Sequence, residues 1–407
     1  MKSNNNEVNR RNFIKNGLTC AAGAAVLPSI NFGKSGNKSP QTKEYKIVTR
    51  KLGNSGLELP VISLGVMNAD NPNLVKAALN AGIKHLDTAY VYQNGRNEEM
   101  IGEVIKNYSR DSFVLSTKLR GEPFDRKTGM FTKEAKAGPF IEKFETSLKR
   151  LQVDYIDIVY QHSLVTREAT FYEEFLNALT KLKKDGKIGY IGASTHRNEP
   201  EVINAAVDCG VYDVVLTSYN FRQPHLKEVE AAIERASKAG LGVVAMKTQA
   251  GVYWDRERTQ QINMKAALKW ALQNENVHTA IPGMTTFDQL ELDMAVMEDL
   301  KLTAEEINDL KLGEQVGMNG LFCPQCGKCT PQCKFNLDIP TYMRSYMYLF
   351  GYKDIKLAHD TYVNESFSKV VCEDCDECTV NCTVGFDVKE KVLKVAKLGD
   401  VSTDLLV

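Results

Sequence analysis

The stretch Ile83-Lys84-His85-Leu86-Asp87-Thr88-Ala89-Tyr90-Val91-Tyr92 decides how the rest of the chain is read. An apolar approach ends in a carboxylate and a phenol follows five residues later. This is the pattern of a buried strand that stops and delivers an acid and a proton donor to one surface. Two later runs behave alike: 113–117 ends in Lys118, and 155–161 ends in His162. Each β-rich run gives out at one ionisable residue, and a parallel α/β barrel builds its site at such strand ends. Taken singly, Asp87 and Lys118 read equally well as a buried ion pair, and His162 as a satisfied core histidine. Asp, Tyr, Lys and His at successive strand ends form a proton-transfer set.

Working outward, Asp87-Thr88-Ala89-x-x-Tyr92, Glu98-Glu99-x-x-Gly102, Ser116-Thr117-Lys118 and Tyr155-x-Asp157-x-x-x-x-His162 fall in the order found in the aldo-keto reductases, which this chain resembles over residues 45–312. The resemblance implies an α/β fold, a (β/α)8 TIM barrel, with Asp87, Tyr92, Lys118 and His162 as its catalytic tetrad. A nearby cationic Lys118 favours the phenolate of Tyr92, whose unperturbed pKa is about 10. Asp87 then orients the lysine, and His162 donates a hydrogen bond to the substrate carbonyl.

The chain has 407 residues, too many for one typical domain, and its 43% hydrophobic content supports a sizeable core. Three parts are expected: a signal and linker over 1–43, the barrel over 44–315, and a small ferredoxin-like iron-sulfur domain over 316–407. Formal net charge is +0, so no overall electrostatic case exists for nucleic acid or anionic membrane, and a small-molecule substrate is expected; the reductase resemblance implies that it is a carbonyl or alcohol. Asn9-Arg10-Arg11-Asn12-Phe13-Ile14-Lys15 precedes a weakly apolar run over 17–27 and a Gly, Ser, Asn and Lys-rich stretch. This resembles a twin-arginine export signal, implying a periplasmic protein or one held at the membrane by an uncleaved signal; the other reading is a disordered basic tail. The run is shorter than the roughly 18 residues a membrane span needs, and no other span is found. Cys20 inside it reads as an ordinary apolar residue.

Along the chain, 46–48 and 57–59 flank Gly53-Asn54-Ser55-Gly56 as a hairpin, and 60–65 is the first barrel strand. Further strands are expected near 83–87, 113–117, 155–161, 188–193, 213–219, 241–246 and 277–281, with helices over 97–107, 139–151, 171–185, 199–208, 226–239 and 264–273. Eight βα units of about 30 residues match a barrel of about 250. Two longer connections, 119–137 and 249–263, leave strand C-termini and would overhang the site.

The resemblance assigns NAD or NADP contacts to Ser194, Lys247, Ile281, Pro282, Gly283, Thr285 and Gln289. There are departures. Gly192-Ala193-Ser194-Thr195 keeps the family's Ser and loses the Asn after it. Leu216 stands where a Gln is expected, and Lys247 stands near the Tyr that usually stacks on nicotinamide. Gly283, Met284 and Gln289 occupy positions where many members place cations or hydroxyls for the 2'-phosphate, so NAD and NADP both stay open.

Eight of the ten cysteines crowd into two runs. Cys323-x-x-Cys326-x-x-Cys329-x-x-x-Cys333 recurs as Cys372-x-x-Cys375-x-x-Cys378-x-x-x-Cys382. They resemble two-cluster bacterial ferredoxins, in which three cysteines of each run hold one [4Fe-4S] cluster and the fourth reaches the other. Zinc is the alternative metal. The proline that usually follows the fourth cysteine is replaced by Lys334 and Thr383. Glu373, Asp374, Asp376 and Glu377 dock a basic electron-transfer partner, lower the cluster's potential or form a solvated face. The leading expectation is an oxidoreductase using nicotinamide in the barrel and two clusters in the tail; the competing one is an electron-transfer or redox-sensing protein with a non-catalytic barrel.

Overall fold

The computed structural model describes residues 45–125, 128–223, 225–255, 258–315, 321–363, 372, 375–402 and 406. Arg10, Arg11, Cys20, Glu373 and Asp374 lie outside the described residues. Residues 44–407 form one compact unit. The sequence boundary at 315 therefore marks a change of architecture inside a continuous packing.

A hairpin of β1 (Thr49–Lys51) and β2 (Glu58–Pro60) precedes the barrel. The strands β3 (Leu64–Gly65), β4 (His85–Asp87), β5 (Val114–Leu119), β8 (Ile156–Gln161), β9 (Ile188–Thr195), β10 (Val214–Ser218), β11 (Gly242–Met246) and β12 (Thr279–Ala280) lie side by side in parallel in that order. Backbone bonds from Ser63 N–H to Ala280 (2.8 Å) and from Gly65 N–H to Pro282 (3.1 Å) close the first strand onto the last. Around them run α1 (Pro72–Asn80), α2 (Arg96–Ile105), α3 (Ala137–Leu151), α4 (Arg167–Thr170), α5 (Glu173–Lys184), α6 (Glu199–Cys209), α7 (Leu226–Lys238), α8 (Met264–Gln273), α9 (Phe287–Ala295) and α10 (Ala304–Gln315).

Strand alternation sorts the side chains into two layers. In β8, Val159 joins the core between sheet and helices, whereas Ile158 and Tyr160 point into the barrel with Val214, Leu216 and Val244. Leu52 and Leu59 of the hairpin plug the floor of that inner layer. The ionisable residues that end these runs therefore have only one place to go, the opposite, C-terminal mouth.

The hairpin pairs later than the sequence pattern implied, because Leu52 N–H bonds Leu57 and places Thr49 opposite Pro60. Residues 46–48 lead in instead, with Val48 accepting from Val61. Helices α1, α4, α9 and α10 were not among the expected ones. α1 and α9 are each only nine residues long, although α1 carries the cap signal Asn71-Pro72, with the Asn71 side chain accepting from Asn73. The 119–137 connection carries a small hairpin of β6 (Phe124–Asp125) and β7 (Met130–Phe131).

The tail contributes α11 (Ile339–Tyr346), a π-helical continuation over Met347–Tyr352, α12 (Ile355–Val363) and α13 (Val388–Ala396). Its apolar cluster includes Tyr342, Met343, Tyr346 and Val392, but also Ala250 from the loop after β11, with Met67 and Phe221 packed against it. The tail therefore has its own apolar cluster, which takes in Ala250 and abuts Met67 and Phe221 on the barrel's C-terminal side. Among the described residues no helix is long and apolar enough to cross a membrane.

Candidate active site

β4, β5 and β8 end side by side, which brings Asp87, Lys118 and His162 to one rim. Lys118, 1% exposed, pairs with Asp87 and donates to the Thr88 carbonyl (2.7 Å). Its Nζ lies 4.7 Å from the centre of the Tyr92 ring, and that ring meets the His162 imidazole edge-on at 6.1 Å between centroids. The structure thus brings together all four residues of the expected proton-transfer set.

Below them Ser116 donates to Asp87 Oδ2 (2.7 Å) and lies 2.9 Å from Nε2 of the fully buried His85. Burial holds His85 down at about 4, although Asp87 opposes the shift. Burial also pulls Lys118 down, but Asp87 and then Tyr92 outweigh it and leave the ammonium above its ordinary value. Tyr92 differs from the sequence expectation. Burial raises its pKa more than the neighbouring Lys118 lowers it, so the phenol keeps its proton. Burial, helped by Lys118, Arg120 and Arg344, holds His162 well below its usual value and therefore neutral.

The residues assigned to a nucleotide are placed unevenly. Ser194 is 1% exposed, and its Oγ accepts from Ser163 N–H (3.0 Å). Ile281 joins the inner barrel layer, Pro282 bonds Gly65, and Gly283 is exposed. Gln289 Oε1 accepts from Thr285 N–H (2.7 Å), and Thr286 caps α9 by accepting from Gln289 N–H (3.3 Å). The exposed N-terminus of α9 therefore fits a phosphate, but Asp288 stands in its first turn and Met284 is buried in the core. At the other end Leu216 is in the apolar inner layer and can bond nothing. Lys247 follows β11 in the left-handed region (φ 55°), and burial with nearby Arg344 lowers it to about 7. The chain thus offers an exposed helix N-terminus for a phosphate and lacks a hydrogen-bonding side chain at position 216.

Three residues of this mouth escaped the sequence reading. His196 follows β9, its Nε2 3.4 Å from Ser163 Oγ and its Nδ1 buried without a partner; the rule that found His162, an ionisable group where a β-rich run gives out, applies to it equally. Arg344 and Tyr348 come from the tail and are felt at Tyr92. No local signal marks them, because they reach the site only through packing of the tail. Arg197 anchors that packing at 3.0 Å from Asp338, the residue that opens α11.

In the tail, Cys323, Cys326, Cys329 and Cys382 line one pocket. Burial pushes Cys323 up to about 12, with Cys329, Cys326 and Cys382 adding to it. Burial pushes Cys372 up to about 11, joined by Cys333, Cys378 and Cys375. The fourth cysteine of each run thus stands with the first three of the other. Among the described residues no three His, Cys, Asp or Glu side chains are gathered tightly enough for a single metal ion. Each set of four cysteines matches the three-plus-one ligation of a [4Fe-4S] cluster, in which each thiolate binds a separate iron. The donor set fits clusters, and the thiols would release their protons in binding iron. Gln325 (φ 60°) and Gly327 (φ 71°) curl the first loop, and Gln325 N–H reaches Cys323 Sγ at 3.4 Å.

The aldo/keto reductase family model matches residues 63–266, and a 4Fe-4S dicluster domain model matches residues 322–387. An uncharacterised oxidoreductase of Bacillus subtilis is 27% identical over 297 residues, covering 64% of this chain and 95% of its own. L-galactose dehydrogenase of Arabidopsis thaliana is 25% identical over 296 residues, covering 63% and 90%. The solved holo form of an aldo-keto reductase from Bacillus halodurans is 26% identical with a TM-score of 0.52, covering 66% of this chain and 96% of its own. Barrel, strand-end residues and cysteine tail together define an oxidoreductase with a 4Fe-4S dicluster domain. The chain belongs to the aldo/keto reductase family.

Proposed function

We propose that this protein interconverts a carbonyl and an alcohol with NAD or NADP bound in the barrel, and that two [4Fe-4S] clusters in the tail are tethered beside the same site. The observation that carries this reading is the buried Lys118–Asp87 pair under the Tyr92 ring, with His162 against its edge. A bound dihydronicotinamide supplies hydride. Tyr92, protonated and desolvated, gives its proton to the oxygen that becomes the hydroxyl. Lys118 holds the resulting phenolate, Asp87 fixes the ammonium, and neutral His162 donates to the carbonyl and sets its approach. Cys323, Cys326, Cys329 and Cys382 would hold one cluster and Cys372, Cys375, Cys378 and Cys333 the other, supplying one-electron storage.

In the variant Tyr92→Phe, clusters and fold are expected to persist while carbonyl reduction falls about 100-fold or more. Turnover equal to wild type on any carbonyl the wild type reduces would sink the mechanism. Titrating NADH and NADPH separately into anaerobic protein identifies the nucleotide. A second reading, an electron-transfer or redox-sensing protein on a barrel scaffold, draws support from Leu216 and Lys247 at the nicotinamide end. It predicts reducible clusters with no nucleotide binding. The Arg10-Arg11 pair supports export of the folded chain to the periplasm; replacing both with Lys should retain the protein in the cytoplasm, and equal periplasmic yield would remove that part of the proposal.

A further inference from the structure

Away from the Tyr92–Lys118 site, one barrel side chain meets the cysteine tail at close range. Arg197 follows β9, and Thr195 fixes its backbone: the Thr195 hydroxyl donates to the Arg197 carbonyl (2.7 Å) and accepts from its N–H (3.4 Å). From there the side chain crosses to the tail, where Nη2 donates to Asp338 (3.0 Å). Its Cδ and Nε stand 3.7 and 3.8 Å from the point that a Cβ on Gly327 would occupy, so the side chain lies on bare backbone of the first cysteine loop. Gly327 lines the cavity shared by Cys323, Cys326, Cys329 and Cys382, and so do Ile339 and Pro340, which follow Asp338 in sequence. The Nε–H is buried without a partner among the described residues.

A buried N–H left bare is costly, and this one stands at the wall of a cavity lined by four cysteines. Four thiolates outweigh the iron charge of a [4Fe-4S] core, so the cluster is an anion and becomes more so on taking up one electron. A fixed cation beside it favours the reduced state, as does an N–H available to sulfur. Arg197 is 21% exposed and Asp338 17%, so water screens the pair only in part. The charge of Arg197 is felt at Cys329, where it favours the thiolate. Asp338, which also accepts from the Thr341 hydroxyl (2.9 Å), holds the guanidinium in place and offsets part of its field.

We propose that Arg197 is a tuning residue for the first cluster: through it the barrel raises the midpoint potential of the cluster held by Cys323, Cys326, Cys329 and Cys382. This rests on the cluster reading proposed above. Reduction here is the uptake of one electron from a one-electron donor, with no bond made or broken and no proton moved. By reciprocity, the added electron tightens the tail's hold on the barrel by the same factor. The tail is then seated more firmly when reduced than when oxidised.

The test is a dithionite titration of anaerobic full-length protein at poised potentials, followed by electron paramagnetic resonance, with the first cluster identified as the one whose signal Cys382→Ser alters. Arg197→Gln should lower that cluster's midpoint by at least about 59 mV, a tenfold change for one electron, and leave the other cluster's midpoint in place. Arg197→Lys keeps the charge and should stay closer to wild type than to Arg197→Gln. Asp338→Asn breaks the same ion pair but removes the opposing charge, so it should raise the first midpoint. Were Arg197 only an anchor for the tail, Arg197→Gln and Asp338→Asn would shift it the same way. A first midpoint that is unchanged or raised in Arg197→Gln, that moves equally with the second, or that is unchanged or lowered in Asp338→Asn overturns the proposal. The Asp338→Asn result decides it alone if Arg197→Gln fails to hold its cluster. Wild-type protein with no dithionite-reducible signal would overturn the cluster reading itself, and this proposal with it, whereas reducible clusters indifferent to Arg197 would overturn this proposal only.

Discussion

Ser116 has one hydroxyl proton, and the Asp87 carboxylate can only accept it. The 2.9 Å contact to His85 must then be a donation from His85 Nε2–H, which leaves Nδ1 bare, and Nδ1 is indeed buried without a partner. Nitrogen NMR should report the Nε2–H tautomer of a neutral His85 throughout the pH range above about 4, the value to which burial lowers it; a doubly protonated ring at pH 6 contradicts the relay. Asp293 shows the opposite use of burial. It is 1% exposed with Oδ2 unpartnered, and burial raises its carboxyl from 3.8 to about 7. The unfolded chain releases this proton first, so the stability it contributes is complete below about pH 4 and is lost as pH rises through about 7. Asp293→Asn should therefore raise the melting temperature at pH 8, by an amount of order 4 kcal/mol in stability, and leave it unchanged at pH 4. Equal effects at both values would refute the assignment.

Strand ends were the legible part of this chain. Asp87, Lys118 and His162 could be found because an apolar run that stops at one ionisable residue says both where the strand ends and what it presents. Boundaries came within a residue or two for most of the expected helices, and α8 matched throughout, its Asn263 cap accepting from Ala266 (2.9 Å). Short elements held by tertiary contacts left no period to read, as with α9 and β6–β7. Nor could sequence pattern show which side chains meet across the barrel. Tyr160 lies over Gly192 on the next strand, where a Cβ would stand 2.1 Å from the ring. Gly192→Ala should cost about 2–3 kcal/mol in urea unfolding through overpacking. Combining it with Tyr160→Leu should recover much of the loss, and additive losses would show that the clash is elsewhere. Tyr160→Phe alone should be tolerated, since the buried hydroxyl has no partner.

At the scale of the molecule, the exchange of fourth cysteines ties residues 323 and 382 into one site and 333 and 372 into another. Cys382→Ser should thus alter the magnetic resonance signal of the cluster held by Cys323, Cys326 and Cys329, while Cys333→Ser alters the other; a change confined to each cysteine's own run contradicts the crossing. The family resemblance foretold both a barrel and a cluster domain, but where the two pack was beyond it, since Ala250, Met67 and Phe221 carry no mark of the partner they pack against. That packing has a bearing on maturation. A ferredoxin-like tail gains much of its folding energy from its metal, and here it is seated against the barrel residues Met67, Phe221 and Ala250. Protein bleached by air should therefore lose its tail to protease while the eight-stranded barrel still resists, and equal survival of both would show that the tail keeps its seat without iron.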